Sequence, residues 1–353
     1  MESFLEPLLP LFERERSAGR ALALGVLVRT EGSTYRKAGA LMVIAASGEY
    51  AGMLSGGCLE GDLRSHAQRV ITHGEPLPVR YDLRGPDDAL WGLGLGCEGD
   101  MHILLLRCGP ENSWQPLAHL AAARDAHRPT AIGIVVESQH AAVPRGTLAL
   151  PAGAAAAGPA PPELAAPEVQ TALAQAPRDR HSSWLEAAAG ALRLFVLPLS
   201  LPPRILLLGA GPDAVPVVDF AARLHWQVTV ADHRPAYAVA AHLPAAERGV
   251  LATPDRLGAV LDLTQFDAAV IMSHHLPSDL AYLRALADTS LGYIGLLGPA
   301  ARRDKLLADL PREAPRLRPR LRAPVGLTLG GRAPESVALA IVAELHRFLH
   351  NAD

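Results

Sequence analysis

The chain has 353 residues and a formal net charge of −3, which allows two domains and provides no dense Lys/Arg run to meet a nucleic acid. Aromatic residues make up 5%, too few for platforms that stack single strands, and three cysteines without a Cys-x-x-Cys pair argue against a disulfide framework or a zinc knuckle. The N-terminus has no basic stretch followed by an apolar core, and no apolar run reaches membrane-spanning length, so the expectation is a cytoplasmic protein without membrane contact.

Spacing predicts an amphipathic helix over Ser3 to Ala18, although Pro7 and Pro10 weaken its first turns. Ala21 to Thr30 is a continuous apolar run with β-branched members, a buried strand. A donor-rich loop follows, Glu31-Gly32-Ser33-Thr34-Tyr35-Arg36-Lys37-Ala38-Gly39. Two more strands, Ala40 to Ala45 and Tyr50 to Leu54, lead into Ser55-Gly56-Gly57-Cys58-Leu59-Glu60. Leu63, Ala67 and Val70 then recur at helical spacing, which places Cys58 at or just before a helix N-terminus. The partial positive charge there stabilises a thiolate and binds anions. A buried cysteine in a tight turn is the plainer alternative.

Leu77 to Leu83 is another strand. The stretch from Asp87 to Asp100 brackets Cys97 with Gly92, Gly94, Gly96 and Gly99, a loop with little power to form a core. The strand Met101 to Arg107 follows, and Cys108 at its end reads as structural. Ala131 to Ser138 echoes Leu22 to Thr30, and Pro144 to Leu150 echoes Lys37 to Val43. The second copy lacks the Ser-Thr-Tyr-Arg-Lys loop and the Gly-Gly-Cys turn, so those two features are the better candidates for chemistry. Ala152 to Pro177, rich in Ala and Pro, reads as a surface excursion or linker. Leu192 to Leu199 completes a mixed α+β first domain over residues 1–201, and Pro202-Pro203 opens a second over 202–353.

In the second half, the strand Arg204 to Leu208 enters Gly209-Ala210-Gly211-Pro212-Asp213-Ala214. A helix follows, then a strand ending at Asp232. Strand, Gly-x-Gly-x-x-Ala, helix, strand and acid is the dinucleotide fingerprint in its required context, and it predicts a Rossmann-like, doubly wound parallel sheet. Gly209, Gly211, Asp232 and Arg234 are the candidate nucleotide contacts. Against them, Asp213 puts a carboxylate where a pyrophosphate would approach and Pro212 removes an N–H, so NAD(P) or another nucleotide is an open alternative. Ser273 and His274 close a strand at the sheet edge where ligands bind, and Arg302 and Arg303 stand by a later glycine turn.

Taken together, these blocks resemble the XdhC/CoxI family of accessory proteins for xanthine dehydrogenase and related molybdenum hydroxylases. The resemblance rests on the Glu31 loop, the Cys58 turn, Gly94 to Cys97, the Gly209 turn with Asp232 to Pro235, Ser273 to His275, Gly292 to Gly298, and Pro324 to Leu327. It implies a chaperone, rather than a turnover enzyme, that binds the molybdenum cofactor (molybdopterin), protects it during sulfuration and inserts it into a xanthine dehydrogenase-type apoenzyme. A cysteine desulfurase is a further implied partner, and a symmetric dimer is the default assembly. On this reading Cys58 and Cys97 contact molybdenum or handle sulfur, since thiolate suits a soft metal. Ser33, Tyr35 and Arg36 meet pterin or phosphate with the Gly56, Gly57 and Gly96 backbone, and Glu60 is an acid/base or orienting group. The alternative reading is an NAD(P)-dependent oxidoreductase with His274 as proton donor. Departures from the family pattern are Asp213 in the glycine turn, Glu98 after Cys97, and His275 where relatives place an acid beside the histidine.

Overall fold

A computed structural model describes residues 5–84, 99–154, 160–237 and 242–350. The chain divides into two compact units, Met1–Leu201 and Pro202–Asp353.

The first unit runs α1 (Leu9–Ser17), β1 (Leu22–Gly32), β2 (Leu41–Ala45), β3 (Tyr50–Gly52), α2 (Glu60–His73), β4 (Leu77–Asp82) and β5 (Gly99–Cys108). It continues through α3 (Leu117–Asp125), β6 (Ala131–Ser138), β7 (Leu148–Ala149), α4 (Pro167–Asp179), β8 (Ser183–Ala187) and β9 (Leu192–Pro198). Helix α1 starts only at Leu9, with Pro10 in its first turn, where a missing N–H is harmless. Strand β3 stops at Gly52, short of the predicted Leu54.

Only the second part of the segment expected to be a surface excursion or linker, from Pro167 on, is overturned: it is α4, with Val169, Leu173 and Ala176 buried. Its prolines sit at the first helical position and near the last turn, so they do not break it, and alanines hide its apolar face from a hydrophobicity count.

Antiparallel strands form two sheets, of order β3-β2-β1-β5-β4 and β7-β6-β9-β8. The internal repeat seen in the sequence is therefore larger than a strand pair: β1, β2, α2, β4 and β5 correspond to β6, β7, α4, β8 and β9. Register fixes the equivalence. Gly25 faces Met42 and Leu105, as Gly133 faces Ala149 and Val196. Both copies carry a bulge at the same place, between Leu27 and Arg29 and between Val135 and Glu137. Gly39 N–H bonds to Leu27 O at 2.7 Å, and Gly146 N–H to Val135 O at 2.8 Å. Leu24, Val26, Val43 and Leu104 of one sheet share a core with Ile132, Ile134, Phe195 and Leu197 of the other. The outer faces pack against α2 and α4 respectively. This burial on both faces is why β1 reads as an unbroken apolar run.

The second unit contains β10 (Arg204–Leu208), α5 (Ala214–Arg223), β11 (Gln227–Asp232), β12 (Arg248–Leu251), α6 (Leu257–Val260), β13 (Ala268–Ile271) and α7 (Leu276–Ala287). Then come β14 (Ile294–Leu296), α8 (Ala300–Ala308), α9 (Ala314–Leu317), β15 (Leu321–Arg322) and α10 (Pro334–Leu349). Its six strands are parallel in the order β12-β11-β10-β13-β14-β15, the doubly wound arrangement, with the order reversing at β10.

Candidate functional site

The Cys58 turn is held by Glu60. One carboxylate oxygen of Glu60 accepts the Leu54 and Ser55 N–H groups at 3.1 and 2.9 Å. The other accepts the Gly57 N–H at 3.0 Å and the Ser55 hydroxyl. Ser55 Oγ in turn accepts the Leu59 N–H at 2.9 Å. Burial raises the Glu60 carboxyl, but the Ser55 hydroxyl and the Ser55 and Leu54 N–H groups outweigh it, so the carboxyl ends below its ordinary value. An ionised carboxylate whose acceptors are all in use is a poor proton carrier. Of the two roles expected for Glu60, acid/base or orienting group, this geometry favours the orienting one.

Gly56 and Gly57 have φ of +87° and +110°, a region open to glycine. A Cβ on Gly56 would also stand 3.2 Å from the Tyr35 ring, so that ring closes over the turn. Cys58 itself is half-buried. Thr34, Tyr35, Ser55, Cys58, Leu83 and Met101 line one narrow cleft. Ser33, Tyr35 and Arg36 are exposed around it, with the Thr34 hydroxyl donating to Arg36 O at 2.7 Å.

Gly99 packs under the same loop, where any Cβ would strike Thr34 Cγ2 and Ser33 O. Gly96 and Cys97 lie outside the described residues. At the foot of their segment, buried Asp100 accepts from Arg80 Nε at 3.0 Å and from Arg84 at 3.2 Å, and lies 3.2 Å from His102 Nε2. The Arg80 hydrogen bond comes first among the causes that hold its carboxyl down. The sequence reading did not include this clasp; its one sequence signal is the alternation Arg80, Asp82, Arg84 at the end of β4 and just beyond it. Cys108 is fully buried, and burial pushes its thiol up to about 12, so it is inert.

In the second unit, Gly209 has φ of +114° and lies against Met272 O, so the turn requires glycine. Asp232, placed by the fingerprint to hold a ribose hydroxyl, is buried and engaged within the protein. It accepts Ala210 N–H at 2.8 Å and the Arg234 guanidinium at 2.8 and 3.0 Å. Burial works against its charge, but Arg234 and Ala210 outweigh it and bring the carboxyl down to about 2. Arg234 therefore balances Asp232 and stacks 4.1 Å over the Tyr237 ring.

Asp213 has a partner across the turn: its Oδ2 lies 2.7 Å from His274 Nε2. The acid missing after His274 in sequence is thus supplied across the turn by the extra acid at 213. The Ser273 hydroxyl donates to buried Asp279, which also binds Arg302 Nε at 2.9 Å. Arg302 is held there, and Arg303 pairs with Asp304 and Ala323 O, so neither stands ready for phosphate. The Gly292 and Pro324 blocks are scaffold, since Glu344 accepts Tyr293 OH at 2.7 Å and Gly326 N–H at 2.6 Å.

Among the described residues no group of three or more His, Cys, Asp and Glu side chains could cage a metal. No helix among the described residues is long and apolar enough to cross a membrane.

Residues 205–345 match the XdhC Rossmann domain and residues 15–82 the XdhC and CoxI family. The chain is 33% identical to a Bacillus subtilis protein named as a probable xanthine dehydrogenase subunit, over 91% of each chain. It is 22% identical to the Escherichia coli molybdenum cofactor insertion chaperone PaoD, over 93% of this chain and 83% of that one. A crystal structure described as a xanthine dehydrogenase from Bacillus halodurans superposes with a TM-score of 0.79 at 28% identity, covering 100% of this chain and 97% of that one.

Proposed function

The chain belongs to the XdhC and CoxI family, and from that premise we propose that it is a molybdenum-cofactor chaperone that loads a xanthine dehydrogenase-type apoenzyme. The observation that carries this reading is the Cys58 turn. A half-buried thiol follows two left-handed glycines, in a turn held by Glu60 and overlaid at Gly56 by the Tyr35 ring. Such a turn presents a soft thiol ligand at a cleft, which suits a soft metal centre. The PaoD relative, named for cofactor insertion, supports the same assignment. In this role Cys58 contacts the molybdenum centre, Tyr35 and the Ser33 to Arg36 loop cover the pterin, and Glu60 keeps the thiol aimed. Cys97 is a second candidate thiol, a cysteine desulfurase the candidate sulfur donor, and a homodimer the default assembly.

The test is to purify the chain from a host that makes molybdenum cofactor and assay pterin fluorescence after oxidation. Near-stoichiometric pterin in wild type, lost in Cys58→Ala or Cys97→Ala, is the expected result. Absence of pterin in wild type, or multiple-turnover xanthine oxidation by the isolated chain, would overturn the reading.

A further inference from the structure

The two copies of the repeat meet through a pair of equivalent contacts. Gly146 of the second copy packs against Pro76 and Leu106 of the first, and a Cβ there would lie 2.3 Å from the Pro76 ring. A Cβ on Gly39 of the first copy would lie 3.4 Å from Ser182 Oγ and Leu197 Cδ1 of the second. Strand register makes these residues counterparts. Leu77 faces Leu105 as Ser183 faces Val196, so Pro76 corresponds to Ser182, Glu75 to His181 and Gly74 to Arg180. The unit is thus built like an isologous dimer within one chain.

At the Pro76 contact the ring fills the space. At the Ser182 contact an open-mouthed cavity of about 370 Å³ remains. Lys37, Arg180, His181, Ser182 and Thr30 border it, and no acidic side chain does among the described residues. The side chains differ in one direction: Arg replaces Gly74, His replaces Glu75, Ser replaces Pro76, and Lys37 stands where the second copy has Pro144.

Arg180 is the most telling of these. It is the left-handed cap of α4, with φ of +58°, at the position where α2 ends on Gly74 with φ of +82°. Glycine takes that conformation without strain, and arginine does not. Helix capping alone does not call for this residue, because Arg178 already places a positive charge in the last turn. The negative end of α4 also repels an anion, so any anion here is held by side-chain cations.

We propose that this cavity is an oxyanion site that takes a phosphate or diphosphate group. Lys37 and Tyr35 are two residues apart, within about 7 Å along the backbone. One loop therefore borders both this cavity and the Cys58 cleft. A ligand with a soft metal at one end and a phosphate at the other would span the two. That link rests on the function proposed above, whereas the oxyanion site stands without it.

The test is calorimetric titration of the full chain with inorganic pyrophosphate. Wild type should bind saturably. R180G and H181E, each taking the residue of the sister contact, should weaken binding at least tenfold. R180G should not melt below wild type, because glycine relieves the backbone. Arg145→Ala, at the sister contact, should bind as wild type does. Equal binding by wild type, R180G and H181E, or an equal loss in Arg145→Ala, would overturn the proposal. Pterin content of the same variants separates the sources. Loss of both pyrophosphate binding and pterin assigns the site to the cofactor's phosphate; loss of pyrophosphate binding alone assigns it to free phosphate. Pyrophosphate binding in a wild type that carries no pterin would remove the chaperone reading and keep the site.

Discussion

Glu60→Gln is the most direct probe of the Cys58 turn. The carboxylate accepts N–H groups on both oxygens, from Leu54 and Ser55 on one and from Gly57 on the other. An amide has one acceptor oxygen. If that oxygen keeps the Leu54 and Ser55 pair, its NH2 meets the Gly57 N–H as donor against donor. The Ser55 hydroxyl can turn to accept from the amide, since it has a second lone pair beside the one bonded to Leu59 N–H. Gly57 is exposed, so its N–H can turn to water, and the cost comes from weakening the buried charge-assisted bonds from Leu54 N–H, Ser55 N–H and the Ser55 hydroxyl, about 2–4 kcal/mol in all. For a unit of this size that corresponds to about 5–10 °C in melting temperature.

The pH dependence has a definite sign. The folded carboxyl lies below its ordinary value, so its stabilisation is fully present above the unfolded value and fades as pH falls through the folded one. The gap between wild type and variant should be constant near neutrality and close below about pH 4. Thermal unfolding from pH 3 to pH 8, with pterin content measured alongside, checks both. A melting temperature within about 1 °C of wild type across that range would refute the clasp. Lost pterin with unchanged stability would return Glu60 to an acid/base role.

Cys58→Ala should abolish pterin retention while leaving the melting temperature within about 2 °C of wild type, because a half-buried thiol contributes little packing. Gly56→Ala should destabilise by about 1–2 kcal/mol, from its left-handed backbone and its contact with the Tyr35 ring, and should also lower pterin content. Asp232→Asn should lose about 2 kcal/mol at neutral pH, since the folded carboxyl titrates near 2. That stabilisation is present above the unfolded value and disappears as pH falls through about 2, which acid unfolding of wild type and variant would follow. NADPH titration should give no saturable binding below about 1 mM, about 4 kcal/mol, because Asp232 is already engaged by Ala210 and Arg234. Micromolar binding with hydride transfer would restore the oxidoreductase reading.

Much of the architecture was legible because it depends on neighbours a few residues apart. The parallel-sheet unit follows from short apolar strands, a glycine turn and capped helices, and α10 spans Pro334–Leu349 as its first-turn proline and last-turn basic residues predict. The Cys58 turn was visible for the same reason, and the spacing from Gly57 to Glu60 even carries the signal of a carboxylate reaching back to a helix entry. Helix α4 was missed where alanine and proline blur the periodicity, although Val169, Leu173 and Ala176 supply the buried face.

What the sequence could not determine is which distant groups neutralise one another. Asp213 looks repulsive beside a glycine turn until His274, 61 positions away, is seen at 2.7 Å. Asp232 looks free for a ribose until Ala210 and Arg234 are found on it. The repeat appeared as two echoing strand pairs, but its reciprocal packing brings the Ser182 hydroxyl to Ala38 O across 144 positions. Local propensity and turn chemistry act within a few residues and can be read along the chain. Ion pairing and the filling or emptying of a contact depend on distances that exist only once the sheets have formed.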